Sequence, residues 1–392
     1  MKDALHRLRL ARTEGVGPIT YRRLLRRYGT AEAALDALPS LARAGGRAIP
    51  LALPSVGSAE REAERVAKLG GRLLFLDSPS YPPLLALLED APPVVAVLGD
   101  PAALHVRAVA LVGSRNASAN GQRLAETLAQ ELAAAGVIVV SGLARGIDAA
   151  AHLGALRAGR TVACVAGGLD MPYPPEHAGL QARIADQGAV IAEARIGTAP
   201  QARHFPRRNR VIAGLALGVV VVEAAMRSGS LITARLAQEA GRELFAVPGS
   251  PLDPRCRGAN DLIRQGAYLA ESAADVLGNL PDHPGREGIG RAPLFARGPA
   301  PTAMPPTGLL EMPLAWPDGE AAGSEGTTQE RARAHRSVLE LLSPSPTSVD
   351  VLLRRCQLSP ATVMSALFDL ELAGRVEALP GNRVVLLSEP GP

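Results

Sequence analysis

The spacing of apolar positions changes along the chain. From about residue 92, short apolar runs such as RAVALVGSR and VIVVSG alternate with helix-length segments such as ASANGQRLAETLAQELAAAG. Strands that alternate with helices predict right-handed β-α-β units and a parallel sheet. Continuous apolar runs are typical of strands that are buried on both faces. The pattern therefore predicts an α/β fold, with one extended Rossmann-like parallel sheet over residues 80–275.

The segments on either side follow other patterns. Residues 1–70 have the periodicity of short helices and predict a small helical domain, in which the Gly-x-Gly turn of GVGP either caps a helix or cradles a phosphate. Residues 281–335, which contain Trp316, are rich in proline and glycine and predict a linker. Residues 336–387 have three helical segments followed by the hairpin pattern RVEALPGNRVVLL, which predicts a winged-helix domain.

Composition indicates the cellular compartment and the kinds of binding site that the chain lacks motifs for. The chain has 392 residues, 47% of them hydrophobic, and a formal net charge of +4. No apolar run approaches the ~18 residues of a membrane span, and the N-terminus lacks the pattern of a signal peptide. The widely spaced Cys164, Cys256 and Cys356 match no metal-ligand motif. We therefore expect a cytoplasmic protein without contact to a membrane, and neither a metal nor another cofactor.

Two glycine-containing loops follow predicted strands, and ligands of open α/β sheets bind beyond the carboxyl ends of the strands. The first loop is GSR, Gly113–Arg115, in which Ser114 offers a hydroxyl group and Arg115 a guanidinium suited to phosphate. The second contributes Ser141, Gly142 and Gly146 at the start of a helix, where free N–H groups bind anions. Nearly every cation in this chain is an arginine, so one arginine alone carries little weight.

The most unusual motif is HFPRRNRVIAGLA, which begins at His204. We expect Phe205 to precede a helix whose start carries Arg207, Arg208 and Arg210, with Asn209 as its N-cap or as a loop clamp. Cations at a helix N-terminus oppose the helix dipole. A bound polyanion would compensate for this, and carboxylates inside the fold, such as Glu193 or Glu223, are the alternative.

Two further motifs have both a functional and a structural interpretation. Ser228, Ser230 and Thr233 place hydroxyl groups at a predicted strand-to-helix turn, where they bind an anion or, with Ser230 as N-cap, cap the helix. Asp148 and His152 share one helix face. They form either an acid–base pair or, as we favour, a dipole-stabilising carboxylate and a packed histidine.

Taken together, these motifs resemble those of the DNA-processing protein A (DprA/Smf) family. The resemblance covers about residues 80–275 in the family's order, with Ala192 and Ala259 as small departures. The motifs that carry it are VGSRNAS, VVSGLARGIDAAAHLGAL, AGGLDMPYPPEH, FPRRNRVIAGLA, VVVEAAMRSGSLITARLAQEAGRELFAVPGS and GANDLIRQGA. The flanking segments resemble the family's helical domain of the SAM or helix-hairpin-helix type and its winged helix.

The resemblance implies a non-enzymatic protein that binds single-stranded DNA, protects incoming DNA in natural transformation and loads RecA recombinase onto it. It also implies a homodimer formed through the Rossmann-like domain. The DNA-binding residues that we predict from the motifs and from the resemblance are Gly113, Ser114, Arg115, Ser141, Gly142, Gly146, Phe205, Arg207, Arg208, Asn209, Arg210, Ser228, Ser230 and Thr233.

Two other functions agree less well with the sequence. Cytokinin-activating phosphoribohydrolases resemble the predicted fold, but they carry a PGGxGT loop, and here the corresponding stretch reads RSGSLIT, with Glu239 further on. A protein-interaction scaffold would leave the cationic loops unexplained.

The predicted recognition helix SPATVMSALFDLELAG of the winged helix carries no cation, and its only charges are Asp369 and Glu371. We therefore expect the winged helix to be an interaction or regulatory module.

Overall fold

The computed structural model describes residues 2–44, 51–281, 328–356 and 358–387. Trp316 and most of the predicted linker lie outside these residues. The helices are α1 Lys2–Ala11, α2 Pro18–Tyr28, α3 Ala31–Ala44, α4 Val56–Lys68, α5 Pro83–Ala86, α6 Ala119–Ala134, α7 Ile147–Ala155, α8 Ala178–Gln187, α9 His204–Leu215, α10 Gly229–Glu239, α11 Arg257–Arg264, α12 Ala273–Asn279, α13 Thr328–Leu341, α14 Val349–Arg355 and α15 Pro360–Leu372. Short 3-10 turns cover Pro101–His105 and Pro175–His177.

The strands form two sheets. They are β1 Arg72–Phe75, β2 Val94–Gly99, β3 Ala108–Val112, β4 Ile138–Ser141, β5 Thr161–Val165, β6 Ala189–Ala192, β7 Gly218–Val221, β8 Glu243–Ala246, β9 Tyr268–Leu269, β10 Thr347–Ser348, β11 Val376–Leu379 and β12 Arg383–Leu386. The large sheet has nine strands in the order β1-β2-β6-β5-β4-β3-β7-β8-β9. All neighbours from β6 to β9 are parallel, whereas β1 and β2 are antiparallel additions at one edge. This confirms the predicted α/β architecture.

Strand β3 shows why the apolar runs are continuous. Its alternate residues point to opposite faces of the sheet. Val109 and Leu111 join the core formed with α6, α7 and α12, whereas Ala108, Ala110 and Val112 join the core formed with α9, α10 and α11. All five residues are buried. Helices cover both faces, so the carboxyl edge of the sheet, where the loops converge, is left to bind a ligand.

Helices α6 and α7 pack in very close contact on one face of the sheet. A Cβ atom at Gly154 of α7 would lie 2.1 Å from the carbonyl oxygen of Glu126 in α6. Only a glycine fits here, because a backbone atom cannot move aside as a flexible side chain can. This contact fixes the position of α7 and of the loop that precedes it.

The described residues form two units, divided within α4. One contains the residues up to Glu60 and those after residue 302, and the other contains Arg61 to residue 281. In the first unit, α13, α14 and α15 with the sheet β10-β12-β11 form the predicted winged helix. The expected linker is wrong for residues 328–335, which belong to α13. Their sequence, TQERARAH, consists mainly of good helix formers, and Ala334 packs in the core of the winged helix.

Helix α15 is buried on two sides within the first unit. Val363 and Leu367 belong to the winged-helix core, whereas Phe368 and Leu372 pack among apolar residues of α1, α2 and α3. Its acidic residues are also internal: Asp369 lies 3.2 Å from Nε2 of His335, and Glu371 lies 3.7 Å from the guanidinium of Arg23. Both carboxylates are therefore buried against helices of the same unit.

We predict opposite effects for two glycine-to-alanine substitutions. Gly154→Ala should lower the free energy of unfolding by about 1–3 kcal/mol, because the added methyl group forces α6 and α7 apart. Gly179→Ala in α8 is the control, because no atom lies within 4 Å of its added Cβ, and it should raise stability by up to about 1 kcal/mol through helix propensity. Chemical denaturation measures both, and an unchanged midpoint for Gly154→Ala would contradict the packing argument.

Candidate nucleic-acid interface

A cavity opens at the carboxyl ends of β3, β4 and β5. The loops after these strands and the first turns of α9 form its wall. Its cations are Arg115, Arg145 and Arg208, and its aromatic rings are Tyr173 and Phe205. The other residues that line it are glycine, alanine, valine, methionine and proline. We call this cavity the arginine pocket. It lies where ligands bind in open α/β sheets.

Helix α9 begins earlier than the sequence predicted. Its first residue is His204 and its N-cap is Arg203, so Asn209 is an interior helical residue and not an N-cap. Pro206 fits in the first turn, where its missing N–H group has no partner to lose. The four residues from Arg207 to Arg210 follow one another around the helix by about 100° each. They therefore cannot face one ligand together, and each has a different environment.

Arg210 and Asn209 are directed into the fold. The Arg210 guanidinium donates to the carboxylate of Glu193 and to the backbone carbonyl of Asp90, and its side chain is 9% exposed. Nδ2 of Asn209 donates to the carbonyl oxygen of Gly229 at 3.4 Å, which ties α9 to α10. The internal-carboxylate alternative therefore holds for Arg210, with Glu193 as the partner. Neither residue lines the arginine pocket.

Arg208 is buried but reaches the arginine pocket. Its Nη1 donates to the carbonyl oxygen of Cys164 at 3.3 Å and lies 4.0 Å from Oδ2 of Asp148. Burial lowers the pKa of the guanidinium, and the Asp148 carboxylate opposes that shift. A Cβ atom at Gly142 would lie 1.5 Å from Nη1 of Arg208. Gly142 is therefore required because the guanidinium occupies the space of a side chain there.

The ring of Phe205 makes cation–π contacts with two arginines of the pocket. The guanidinium carbon of Arg115 lies 4.9 Å from the ring centroid, and that of Arg208 lies 5.8 Å from it. Tyr173 meets the same ring edge-on, with the two centroids 5.7 Å apart, and 46% of Tyr173 is exposed. Two like charges on one ring repel each other, and an anion between them would relieve that repulsion.

Glycines bring the loops after β3 and β4 together. Gly146 has a φ of 73°, and a Cβ there would lie 2.3 Å from the carbonyl oxygen of Ser114. The N–H of Ile147 donates to the same oxygen at 3.2 Å. At Gly113 an added Cβ would meet the Ile147 side chain at 2.5 Å. The two predicted site residues Gly113 and Gly146 therefore let the loops approach each other closely. This close approach holds the exposed Arg115 beside Phe205.

The predicted hydroxyl groups do not line the pocket. Oγ of Ser141 is buried and donates to the carbonyl oxygen of Leu111 at 2.6 Å. Ser228 is the N-cap of α10 and accepts from the N–H of Ser230 at 3.2 Å. Ser230 and Thr233 are buried in that helix. The capping interpretation therefore holds for the loop after β7, but with Ser228 as the cap in place of Ser230.

Asp148 and His152 do not form an acid–base pair. Nδ1 of His152 lies 2.8 Å from Oγ1 of Thr161, and burial lowers the pKa of His152 to about 3. Oδ2 of Asp148 accepts from the N–H of Ala144 at 3.3 Å, and burial raises the pKa of this carboxyl. The structural interpretation of this pair holds. No local sequence pattern reveals Asp148 as the partner of Arg208, because the two residues are 60 positions apart.

Comparison with known proteins covers nearly the whole chain. The family described as DNA recombination-mediator protein A matches residues 72–281. A DprA-like N-terminal HHH domain matches residues 1–64, and the DprA winged helix domain matches residues 322–382.

Individual relatives agree with these matches. Protein Smf of Escherichia coli is 38% identical over 80% of this chain and 77% of its own length. Protein Smf of Synechocystis is 32% identical over 95% of this chain and 96% of its own length. The X-ray structure of DNA processing protein A from Streptococcus pneumoniae superposes with a TM-score of 0.60 at 32% identity, covering 72% of this chain and 99% of that one. The chain therefore belongs to the DprA/Smf family of DNA recombination-mediator proteins.

Proposed function

We propose that this chain binds single-stranded DNA in the arginine pocket and acts there as a recombination mediator without catalysing a reaction. The observation that carries the proposal is the pair of guanidinium groups, from Arg115 and Arg208, on the ring of Phe205. Arginine guanidinium groups bind phosphate through charge-assisted hydrogen bonds. The exposed ring of Tyr173 beside them offers a face on which a base can stack.

The shape of the site favours a single strand over a duplex. Tyr173 and Phe205 sit in a pocket between loops, and a base reaches them only when it is unstacked. In a duplex, both faces of each base are covered by neighbouring bases, so stacking on protein rings requires unpairing at a cost of a few kcal/mol. Phosphate contacts and stacking carry little sequence information. Binding is therefore expected to be largely independent of sequence.

The pocket also lacks the groups that hydrolysis of a nucleotide needs. Among the described residues that line it there is no carboxylate, histidine, serine or cysteine. Two carboxylates lie beside the lining: that of Asp148 is engaged with Ala144 and Arg208, and that of Glu176 is paired with Arg145. These observations support a binding protein over the phosphoribohydrolase alternative, which requires an acid or base next to the substrate.

We further propose that the protein acts in the cytoplasm, protects incoming DNA during natural transformation and loads RecA recombinase onto it. The family's description as a recombination mediator supports this role. None of the described helices is long and apolar enough to cross a membrane. A strand-exchange assay with RecA and a single-strand-binding protein tests loading directly.

The winged helix is proposed as an interaction or regulatory module and not as the principal DNA site. Helix α15, which would enter a major groove in a DNA-reading winged helix, packs with Phe368 and Leu372 against the N-terminal helices. A helix with both of these sides buried has little surface left to read bases. The exposed cations of this domain, such as Arg354 and Arg383, lie outside α15.

We propose that the protein forms a homodimer through the Rossmann-like domain. The short strand β9 forms one edge of the nine-stranded sheet, and 47% of Leu269 on that strand is exposed. An apolar edge strand is a surface suited to pairing with a second copy.

We predict that Leu269→Glu converts the dimer to a monomer in analytical ultracentrifugation, whereas Leu87→Glu, at another exposed leucine, does not. A wild-type monomer would contradict the proposal.

The first test of DNA binding compares two forms of DNA. We predict that the protein binds an oligonucleotide more tightly as a single strand than as the matching duplex, without added metal or nucleotide. The logarithm of affinity should fall linearly with the logarithm of salt concentration, by about 0.7 for each phosphate contacted. Fluorescence anisotropy at several salt concentrations measures both. Equal affinity for the two forms, or no dependence on salt, would rule out the proposed binding mode.

The second test separates binding from folding. Arg115 is exposed, and within the described residues it has no ion-pair partner. Arg115→Ala should therefore weaken single-stranded DNA binding by about 1.5–3 kcal/mol and leave the melting temperature unchanged. Arg210→Ala should instead lower stability by roughly 3–5 kcal/mol, the cost of removing one partner of a buried ion pair. It should leave DNA affinity near the wild-type value, because Arg210 pairs with Glu193 and does not line the pocket. Full DNA affinity in Arg115→Ala would remove Arg115 from the site.

A further inference from the structure

Arg145 lines the arginine pocket. It lies within the motif VVSGLARGIDAAAHLGAL but is not among the DNA-binding residues predicted from the sequence. Its side chain extends from the loop between β4 and α7, and 66% of it is exposed. Both Nε and Nη2 of its guanidinium contact Oε1 of Glu176. Glu176 lies in the 3-10 turn Pro175–His177, whose first residue also lines the pocket. The ion pair therefore joins two of the loops that surround the pocket.

The backbone that carries Arg145 is held firmly in place. Leu143 is buried and has a φ of 61°, a left-handed conformation that only surrounding contacts can maintain in a branched residue. Nδ1 of His177 donates to the Leu143 carbonyl at 2.9 Å, and the N–H of Ala144 donates to the Asp148 carboxylate at 3.3 Å. The backbone of this loop is therefore constrained, whereas the exposed side chain of Arg145 can change partners.

The ion pair between Arg145 and Glu176 is weak enough to exchange. Glu176 is 46% exposed, and exposed ion pairs contribute only about 0–1 kcal/mol. A hydrogen bond to its own backbone and the Arg145 guanidinium hold the pKa of Glu176 below its usual value, so this carboxylate is ionised at neutral pH. The contrast is Arg210, which is buried with Glu193 and cannot release its partner without a large cost.

We propose that Arg145 is a third phosphate-binding arginine of the pocket, and that Glu176 competes with DNA for it and so sets the affinity. This inference rests on the proposed function. In the free protein Glu176 neutralises Arg145. When a strand enters, a backbone phosphate replaces the carboxylate on the guanidinium, and Glu176 turns to solvent. No covalent bond changes, and the net step exchanges one anion for another on the same cation.

The test is a double-substitution cycle in the full chain, with oligo(dT) as the probe. Arg145→Ala should weaken binding about tenfold, the loss of one charge-assisted contact less the weak ion pair that it replaces. Its salt dependence should be shallower by about 0.7, the value for one phosphate on a single strand. Glu176→Gln should strengthen binding about two- to fivefold, because the competing carboxylate is gone.

The decisive result is the double substitution. If Glu176 acts through Arg145, Glu176→Gln should have no effect once residue 145 is alanine, so the two effects should not add. If Glu176→Gln strengthens binding equally in both backgrounds, Glu176 merely repels DNA and the proposal is wrong. Unchanged affinity and an unchanged salt slope in Arg145→Ala would also overturn it.

A matched ion pair controls for net charge. Arg157 and Glu126 are 2.8 Å apart and are 56% and 29% exposed, and neither lines the pocket. Arg157→Ala and Glu126→Gln should leave oligo(dT) affinity within twofold of the wild type, and equal losses in Arg157→Ala and Arg145→Ala would contradict the proposal. Failure of the proposed function gives a different result from failure of this inference. In that case the wild type does not bind oligo(dT), or Arg115→Ala binds it with the same affinity as the wild type. Melting temperatures of all variants confirm that they are folded.

Discussion

The burial of the Arg208 guanidinium is the constraint on which the rest of the site depends. A charged group taken out of water is costly unless it gains partners. Here the compensation comes from the carboxylate of Asp148 and the carbonyl of Cys164. The space comes from Gly142, where any side chain would collide with the guanidinium. Two strands and one helix thus contribute to holding one arginine, because these groups lie at the ends of β4 and β5 and at the start of α7.

The same buried arginine explains the position of its neighbours. The guanidinium groups of Arg208 and Arg115 both lie over the ring of Phe205. Arg115 can be there only because Gly113 and Gly146 let the loops after β3 and β4 touch. A site whose loops are already held by such packing spends little free energy on ordering itself when a ligand binds. The ion-paired side chains of Arg145 and Glu176 at its rim are exposed.

Helix geometry separates the arginines of one short motif into different roles. Arg207 is exposed, Arg208 reaches the pocket from inside, and Arg210 pairs with Glu193. Each step of about 100° around α9 changes the surroundings completely. A similar division occurs in α15, where Phe368 and Leu372 face the N-terminal helices and Val363 faces the winged-helix core. Adjacent residues therefore share a motif without sharing a partner.

The sequence by itself determined the layers of the fold and the edge at which the site lies. Continuous apolar runs of β3 to β8 require burial on both faces, and the alternation with helices requires a parallel sheet. Both follow from local periodicity, and the predicted architecture is confirmed. The winged helix was likewise visible in its helices and hairpin, although α13 begins at Thr328 and not near residue 336.

Only the tertiary structure decided which of the predicted residues face the site. Ser141, Ser228 and Thr233 have the right chemistry, but hydrogen bonds or burial inside the fold occupy them. The pairing of Arg210 with Glu193, and of Arg145 with Glu176, joins residues that no sequence spacing connects. Local patterns fix which way a helix or strand turns its faces. The partner that a polar side chain finds depends on segments distant in the chain, because the packing of the whole sheet brings them together.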